Sequence, residues 1–84
     1  MSYDYQKEKR NLFTEDGFKT LIKVRDASIR LSNISEVFTL EKMISDCTGD
    51  SWTMLAAVDY LEELGEIKCV HSPGSTQKKI YVRK

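Results

Sequence analysis

The sequence predicts a small, mainly helical α+β domain in which three helices are followed by a two-stranded antiparallel β-hairpin. Two observations predict this class. Between residues 14 and 64, apolar residues recur at spacings of three and four, the period of a helix that buries one face. After Gly65, short alternating segments flank Pro73-Gly74, which is typical of a hairpin and its turn. With 84 residues, the chain can bury one modest core.

The first thirteen residues mix both signs of charge with two tyrosines and show no sustained period. We therefore expect residues 1–13 to be a flexible N-terminal arm ahead of a domain that spans residues 14–84. The alternative is that the large side chains of the arm pack onto the body: Tyr3, Tyr5, Leu12 and Phe13.

The first helix is predicted over residues 17–33, with Thr14 as its capping hydroxyl. Its apolar residues fall on two nearly opposite faces. One face holds Phe18, Leu21, Ile22 and Ile29, and the other holds Val24, Ala27, Leu31 and Ile34. A helix that is apolar on two sides is either enclosed by its own domain or shared with a partner, so we hypothesise a homodimer through residues 18–34. Two alternatives stay open, a break near residues 25–27 and a strand over residues 19–24.

Thr39 is expected to cap a second helix over residues 40–47. Its inward positions are spaced i, i+3, i+4 and i+7: Leu40, Met43, Ile44 and Cys47. The turn Thr48-Gly49-Asp50-Ser51 separates it from a third helix over residues 52–64, which Gly65 ends. The inward face of the third helix consists of Leu55, Val58 and Leu61.

The hairpin strands are predicted over residues 66–70 and 79–83. In the first strand, Ile67 and Cys69 share a face. In the second strand, Ile80 and Val82 share a face, and the opposite face consists of Lys79, Tyr81 and Arg83.

Net charge is zero, but it is unevenly distributed along the chain. Residues 31–67 hold eight acids and one base, whereas residues 68–84 hold five bases and no acid. The basic C-terminal segment is either a phosphate-binding surface or a solvated hairpin edge whose lysines discourage strand pairing. No apolar run is long enough to span a membrane, and the N-terminus does not have the pattern of a secretory signal. We therefore expect a cytoplasmic protein with reduced cysteines at positions 47 and 69.

Several segments resemble the winged helix-turn-helix superfamily of bacterial and archaeal DNA-binding domains. The resemblance is carried by residues 38–41 (FTLE), 48–49 (TG), Ser51 and 61–67 (LEELGEI). It implies that the third helix enters the major groove of duplex DNA and that the hairpin forms a wing against the DNA backbone. It also implies a short first strand in the connector at residues 35–38.

The resemblance implies two groups of nucleic-acid-binding residues. In the third helix they are Ser51, Trp52, Thr53, Ala56 and Tyr60. In the wing they are His71, Ser75, Thr76, Gln77, Lys78, Lys79 and Arg83. Each aromatic member has a structural alternative: Trp52 packs beside the second helix or under the wing, and Tyr60 packs against the element that carries Tyr81.

The charge of the third helix departs from the family pattern. From residue 43 to residue 67 there is no Lys or Arg, and there are six acids: Asp46, Asp50, Asp59, Glu62, Glu63 and Glu66. Because DNA affinity depends largely on neutralising phosphates, this absence moves the expected contact toward the wing.

Taken together, these features predict a winged-helix protein that binds double-stranded DNA, in transcriptional control or as a mobile-element accessory protein. The alternative is a protein-interaction module whose acidic third helix binds a basic partner without DNA. No nucleophile–base pair and no phosphate-binding glycine loop is found, so we expect no enzyme and no cofactor. Asp46, Cys47, Cys69 and His71 match no zinc spacing, so we expect no metal site.

Overall fold

The chain folds into helices and a three-stranded antiparallel sheet within the residues that the computed structural model describes, which are 3–45, 47, 51–71 and 79–84. In chain order the elements are α1 (Tyr5–Glu8), a 3₁₀-helix (Lys9–Phe13), α2 (Glu15–Ser32), β1 (Phe38–Thr39), α3 (Leu40–Ile44), α4 (Ser51–Glu63), β2 (Ile67–His71) and β3 (Ile80–Arg83). The fold is α+β and mainly helical, as the sequence predicts. The predicted first, second and third helices correspond to α2, α3 and α4.

The N-terminal segment differs from the flexible arm expected over residues 1–13. Its described part is helical, and Asp4 caps α1 by accepting a hydrogen bond from the amide of Gln6 at 3.1 Å. Leu12 is fully buried in the core, and Tyr3 and Tyr5 pack against that core. These helical turns are too short to produce a detectable period, so the sequence pattern does not reveal them.

Helix α2 runs unbroken over 18 residues, which excludes the strand over residues 19–24 and a break near residues 25–27. Thr14 caps it as predicted, because its Oγ accepts a hydrogen bond from the amide of Gly17 at 3.1 Å. The two predicted apolar faces are wrong in phase. The buried residues form a single face between them, consisting of Gly17, Leu21, Val24, Ala27 and Ser28, whereas Phe18 and Ile22 are exposed.

Thr39 caps α3 as predicted, with its Oγ accepting from the amide of Lys42, but the helix ends at Ile44 and not at residue 47. The turn at residues 48–50 lies outside the described residues. Helix α4 begins at Ser51, one residue before its predicted start.

Gly65 ends α4 with a φ of 80°. Its amide donates to the carbonyl of Glu62, and the amide of Glu66 donates to the carbonyl of Leu61, both at 3.0 Å. This pair of bonds is a Schellman motif, and it confirms the predicted glycine stop.

The sheet has three strands in the order β1-β3-β2, so the prediction of a two-stranded sheet is wrong in strand count. Phe38 of β1 lies opposite Tyr81 of β3, and Cys69 of β2 lies opposite Tyr81 on the other side. Tyr81 of the central strand faces the helices and the core, where it is 1% exposed. Ile80 and Val82 are only partly buried.

None of the helices in the described part of the chain combines the length and the apolar composition that a membrane crossing requires.

Candidate functional site

The N-terminal end of α4 forms one wall of a surface pocket of about 340 Å³. Most of the lining is apolar or aromatic and comes from α3, α4, β3 and the N-terminal segment: Tyr3, Leu40, Ile44, Trp52, Leu55, Val58 and Tyr81. Three lining residues have polar or charged ends: Ser51, Asp59 and Lys79. The fold thus brings together three of the residues predicted to contact nucleic acid, Ser51, Trp52 and Lys79.

Lys79 is positioned by the start of α3. Its carbonyl accepts a hydrogen bond from the amide of Leu40 at 3.1 Å, which anchors the chain just before β3. Side chains alternate along an extended chain, so Lys79 lies on the same side as Tyr81 and faces the pocket that Tyr81 also lines. Lys79 therefore brings a positive charge to an otherwise largely apolar concave surface.

Two of the predicted reading residues are buried and offer no surface to a ligand. Ala56 is fully buried and Thr53 is 8% exposed. Because α4 packs against both α2 and β2, a wider arc of the helix is enclosed than its Leu55–Val58–Leu61 spacing suggests. We therefore remove Thr53 and Ala56 from the candidate interface.

Tyr60 lies away from the pocket, against the N-terminal segment. Its ring meets the ring of Phe13 edge-to-face, with centroids 5.8 Å apart and planes at 82°. The Nζ of Lys9 lies 5.6 Å from the Tyr60 ring centroid, a cation–π distance. Tyr60 therefore holds the N-terminal segment onto α4.

Arg83 is engaged inside the fold. One guanidinium nitrogen donates to the Oγ of Ser28 at 3.2 Å, and another lies 3.5 Å from a carboxylate oxygen of Glu66. Glu66 also accepts from Nε of Arg25 at 2.9 Å. The hydrogen bond from Arg25 is the main reason that the pKa of Glu66 falls below its ordinary value, and Arg83 adds to the effect. Arg83 thus connects β3 to α2 and to the end of α4.

The other predicted wing residues are only partly described. His71 is exposed at the end of β2. Ser75, Thr76, Gln77 and Lys78 lie outside the described residues.

Tyr3 and Asp59 belong to the site although the sequence pattern did not point to them. The Tyr3 hydroxyl donates to a carboxylate oxygen of Asp59 at 2.6 Å. Burial and this bond raise the pKa of the Tyr3 phenol above its ordinary value of 10.0. The two residues are 56 positions apart, so no local sequence pattern connects them. The one signal that could have indicated this contact was the presence of aromatic residues in an otherwise polar N-terminal segment.

A second pair of contacts continues this arrangement along α4. The Tyr5 hydroxyl donates to Glu63 at 2.6 Å, and Nζ of Lys9 lies 2.9 Å from the same carboxylate. The pKa of Glu63 is lowered by the hydrogen bonds from Tyr5 and Lys9. The N-terminal segment therefore supplies partners to two carboxylates of α4.

Among the described residues, no three His, Cys, Asp or Glu side chains lie together in a way that would hold a metal ion. Cys47 and Cys69 are both half-buried, and the two are not joined in a disulfide. The Cys69 thiol lies 3.4 Å from the carbonyl oxygen of His71, a contact within its own strand.

The chain matches no protein-family model, no curated protein and no solved structure.

Proposed function

We propose that this chain is a winged-helix protein that binds double-stranded DNA through the start of α4 and the β2–β3 hairpin, in transcriptional control or as a mobile-element accessory protein. The order of the elements supports the winged-helix part of the proposal. A long helix, a short strand, two further helices and a hairpin follow each other, and the short strand pairs with the last strand of the hairpin.

The observation that carries the proposal is that Ser51, Trp52 and Lys79 line one surface. Ser51 begins a 13-residue helix, so the positive end of the helix dipole and the Lys79 side chain belong to the same pocket. Amides, a hydroxyl and an ammonium group are the groups that bind phosphate oxygens in protein–DNA complexes. Trp52 adds an aromatic surface at the same place.

The acids of α4 oppose this function less than the sequence suggests. Asp59 and Glu63 accept hydrogen bonds from the N-terminal segment, and Glu66, just after the helix, is paired with two arginines. Lys9 partly neutralises Glu63, and Arg25 and Arg83 partly neutralise Glu66, whereas Asp59 keeps its charge beside the neutral Tyr3 hydroxyl.

The same contacts count against the alternative function, in which the acidic helix binds a basic protein. A partner would have to compete with the N-terminal segment for Asp59 and Glu63, which leaves Glu62 as the one carboxylate of α4 without a hydrogen bond or ion pair among the described residues. We therefore favour DNA as the ligand.

Fluorescence anisotropy with a labelled random-sequence duplex tests the proposal. Wild-type protein should bind at low salt, and its affinity should fall steeply as salt rises. Lys79→Glu should weaken binding by about tenfold or more, because it removes one phosphate contact and adds a repulsive charge. Binding should also change the emission of Trp52, the single tryptophan of the chain.

Lys7→Glu is the matched control. It makes the same change in net charge at an exposed position of α1, outside the pocket lining. It should weaken binding much less than Lys79→Glu does. Equal losses for the two variants would contradict the proposed surface, and no binding of wild-type protein at low salt would contradict DNA binding itself.

A further inference from the structure

Four large apolar side chains are exposed on the side of the molecule where α2 and the end of α4 lie. Phe13 is 65% exposed, Phe18 52%, Ile22 38% and Leu64 53%. We call these four residues the apolar patch. Single exposed apolar side chains are ordinary, whereas several that adjoin each other mark a surface that another molecule covers.

Two contacts indicate that the patch extends from α2 to the end of α4. The ring of Phe13 touches Tyr60, which lies one helical turn before Leu64. Nε of Arg25 lies 2.9 Å from the carboxylate of Glu66, two residues after Leu64. Phe18 and Ile22 are one turn apart on α2, between these two anchoring points. Leu64 is therefore expected to lie beside residues 13–25, the stretch of chain that carries the other three members of the patch.

The charges beside the patch indicate which molecule covers it. Lys19 and Asp26 are exposed and lie on the same flank of α2. Lys19 precedes Ile22 by three residues, and Asp26 follows it by four. If two copies of α2 pack antiparallel around a twofold axis near Ile22, Lys19 of each copy faces Asp26 of the other. In a parallel pair, positions 19 and 26 of the two copies would lie about 10 Å apart along the helices, so Lys19 and Asp26 could not pair.

We propose that the chain forms a symmetric homodimer in which the apolar patch packs against its copy, with the two α2 helices antiparallel and Lys19 paired with the Asp26 of the second copy. The only partner of Lys19 among the described residues is Glu15, one turn away at 3.8 Å, with both side chains mostly exposed. Such a pair contributes little, so Lys19 exchanges it at low cost for a partner in the interface.

The dimer leaves the proposed DNA-binding surface free. Leu64 follows the last residue of α4, whereas Ser51 is its first, and none of the four patch residues lines the pocket. The inference therefore does not rest on the proposed function, and each can fail without the other.

Analytical ultracentrifugation over a concentration series, without DNA, tests the dimer. Wild-type protein should sediment as a dimer whose population falls on dilution. Ile22→Glu should give a monomer, because it places a charge in the centre of the interface. Ile34→Glu is the matched control: Ile34 is 77% exposed and follows α2 outside the patch, so this variant should remain a dimer. Circular dichroism should show that both variants keep their helices.

Charge reversal tests the antiparallel arrangement. Lys19→Asp and Asp26→Lys should each weaken dimerisation by about tenfold, since each places like charges opposite each other twice in a symmetric interface. The double variant should recover most of the wild-type affinity. A double variant that dimerises no better than the single variants would overturn the antiparallel pairing. A wild-type monomer at high micromolar concentration, or equal losses for Ile22→Glu and Ile34→Glu, would overturn the interface.

Discussion

Gly17 lies where the start of α2 passes closest to the 3₁₀-helix. A Cβ on this residue would overlap the carbonyl oxygen of Asn11 and come 3.0 Å from the Cα of Leu12, and both are backbone atoms that cannot rotate away. Gly65 has open space around it, but its φ of 80° is one that residues with a side chain adopt at a cost. The first glycine is required by packing and the second by backbone conformation.

These two reasons predict different responses to substitution. Gly17→Ala should destabilise by about 1–3 kcal/mol through the clash, although alanine is the better helix former by about 1 kcal/mol. Gly65→Ala should cost about 1–2 kcal/mol, and Gly65→Asn should cost less, because asparagine tolerates the left-handed region. Urea denaturation measures all three. A Gly17→Ala protein more stable than wild type would show that the approach of the 3₁₀-helix is looser than described.

At the scale of elements, local chemistry made the helix ends predictable. Thr14 and Thr39 each accept from an amide three residues later, and Gly65 closes a motif within six residues, so the signals lie in short stretches of sequence. The buried face of α2 was not predictable in the same way. The buried face lies between the two predicted faces because of where the N-terminal segment and α4 pack, and those contacts join residues far apart in the chain.

The family resemblance implied a short strand at residues 35–38, and the structure has it at Phe38–Thr39, whereas the inward position of Tyr81 shows the same limit as α2. The pattern of β3 shows two alternating faces, and the packing of the helices on the sheet decides which of them is enclosed. In the candidate site, Ser51, Trp52 and Lys79 were predictable from a family resemblance. The buried Ala56 and the Tyr3–Asp59 bond required the packed structure.

The N-terminal segment is the element for which expectation and structure differ most, and Leu12 tests it directly. Leu12 is fully buried, so Leu12→Ala should lower the free energy of unfolding by about 2–5 kcal/mol through lost burial and a cavity. Ile34→Ala, at an exposed position, should change it by less than about 0.5 kcal/mol. Urea titrations of the two variants give the comparison. If residues 3–13 were a loose arm, both substitutions would be equally harmless.

For the whole molecule, Glu66 is the point at which three parts of the fold are joined by charge. Glu66 lies just after the end of α4. Its carboxylate oxygen is 2.9 Å from Nε of Arg25 in α2 and 3.5 Å from a guanidinium nitrogen of Arg83 in β3. Its backbone carbonyl also accepts from the amide of Lys84 at 3.0 Å, which fixes the last residue of the chain. Loss of the Glu66 charge would therefore weaken the ion pairs that connect the end of α4 to α2 and to β3.

This arrangement predicts how stability depends on pH. The pKa of Glu66 in the folded protein is below its ordinary value of 4.5, mainly because Arg25 donates to it. A carboxylate with a lowered pKa stabilises the fold above its unfolded pKa, and that contribution is lost as pH falls through the folded value. Glu66→Gln should therefore be less stable than wild type at neutral pH, and the difference should shrink as pH is lowered from about 5 toward 3.

Glu62→Gln provides the comparison that isolates this effect. Glu62 is exposed, and within the described residues its side chain makes no hydrogen bond or ion pair, so its substitution removes a charge without removing a contact. Urea titrations at several pH values and one protein concentration should give Glu62→Gln an acid dependence close to that of wild type. Glu66→Gln should converge on wild type at low pH because protonation removes the same ion pairs that the substitution removes. A constant gap between Glu66→Gln and wild type across this pH range would mean that the joint between α2, α4 and β3 depends on the shape of the side chain and not on its charge.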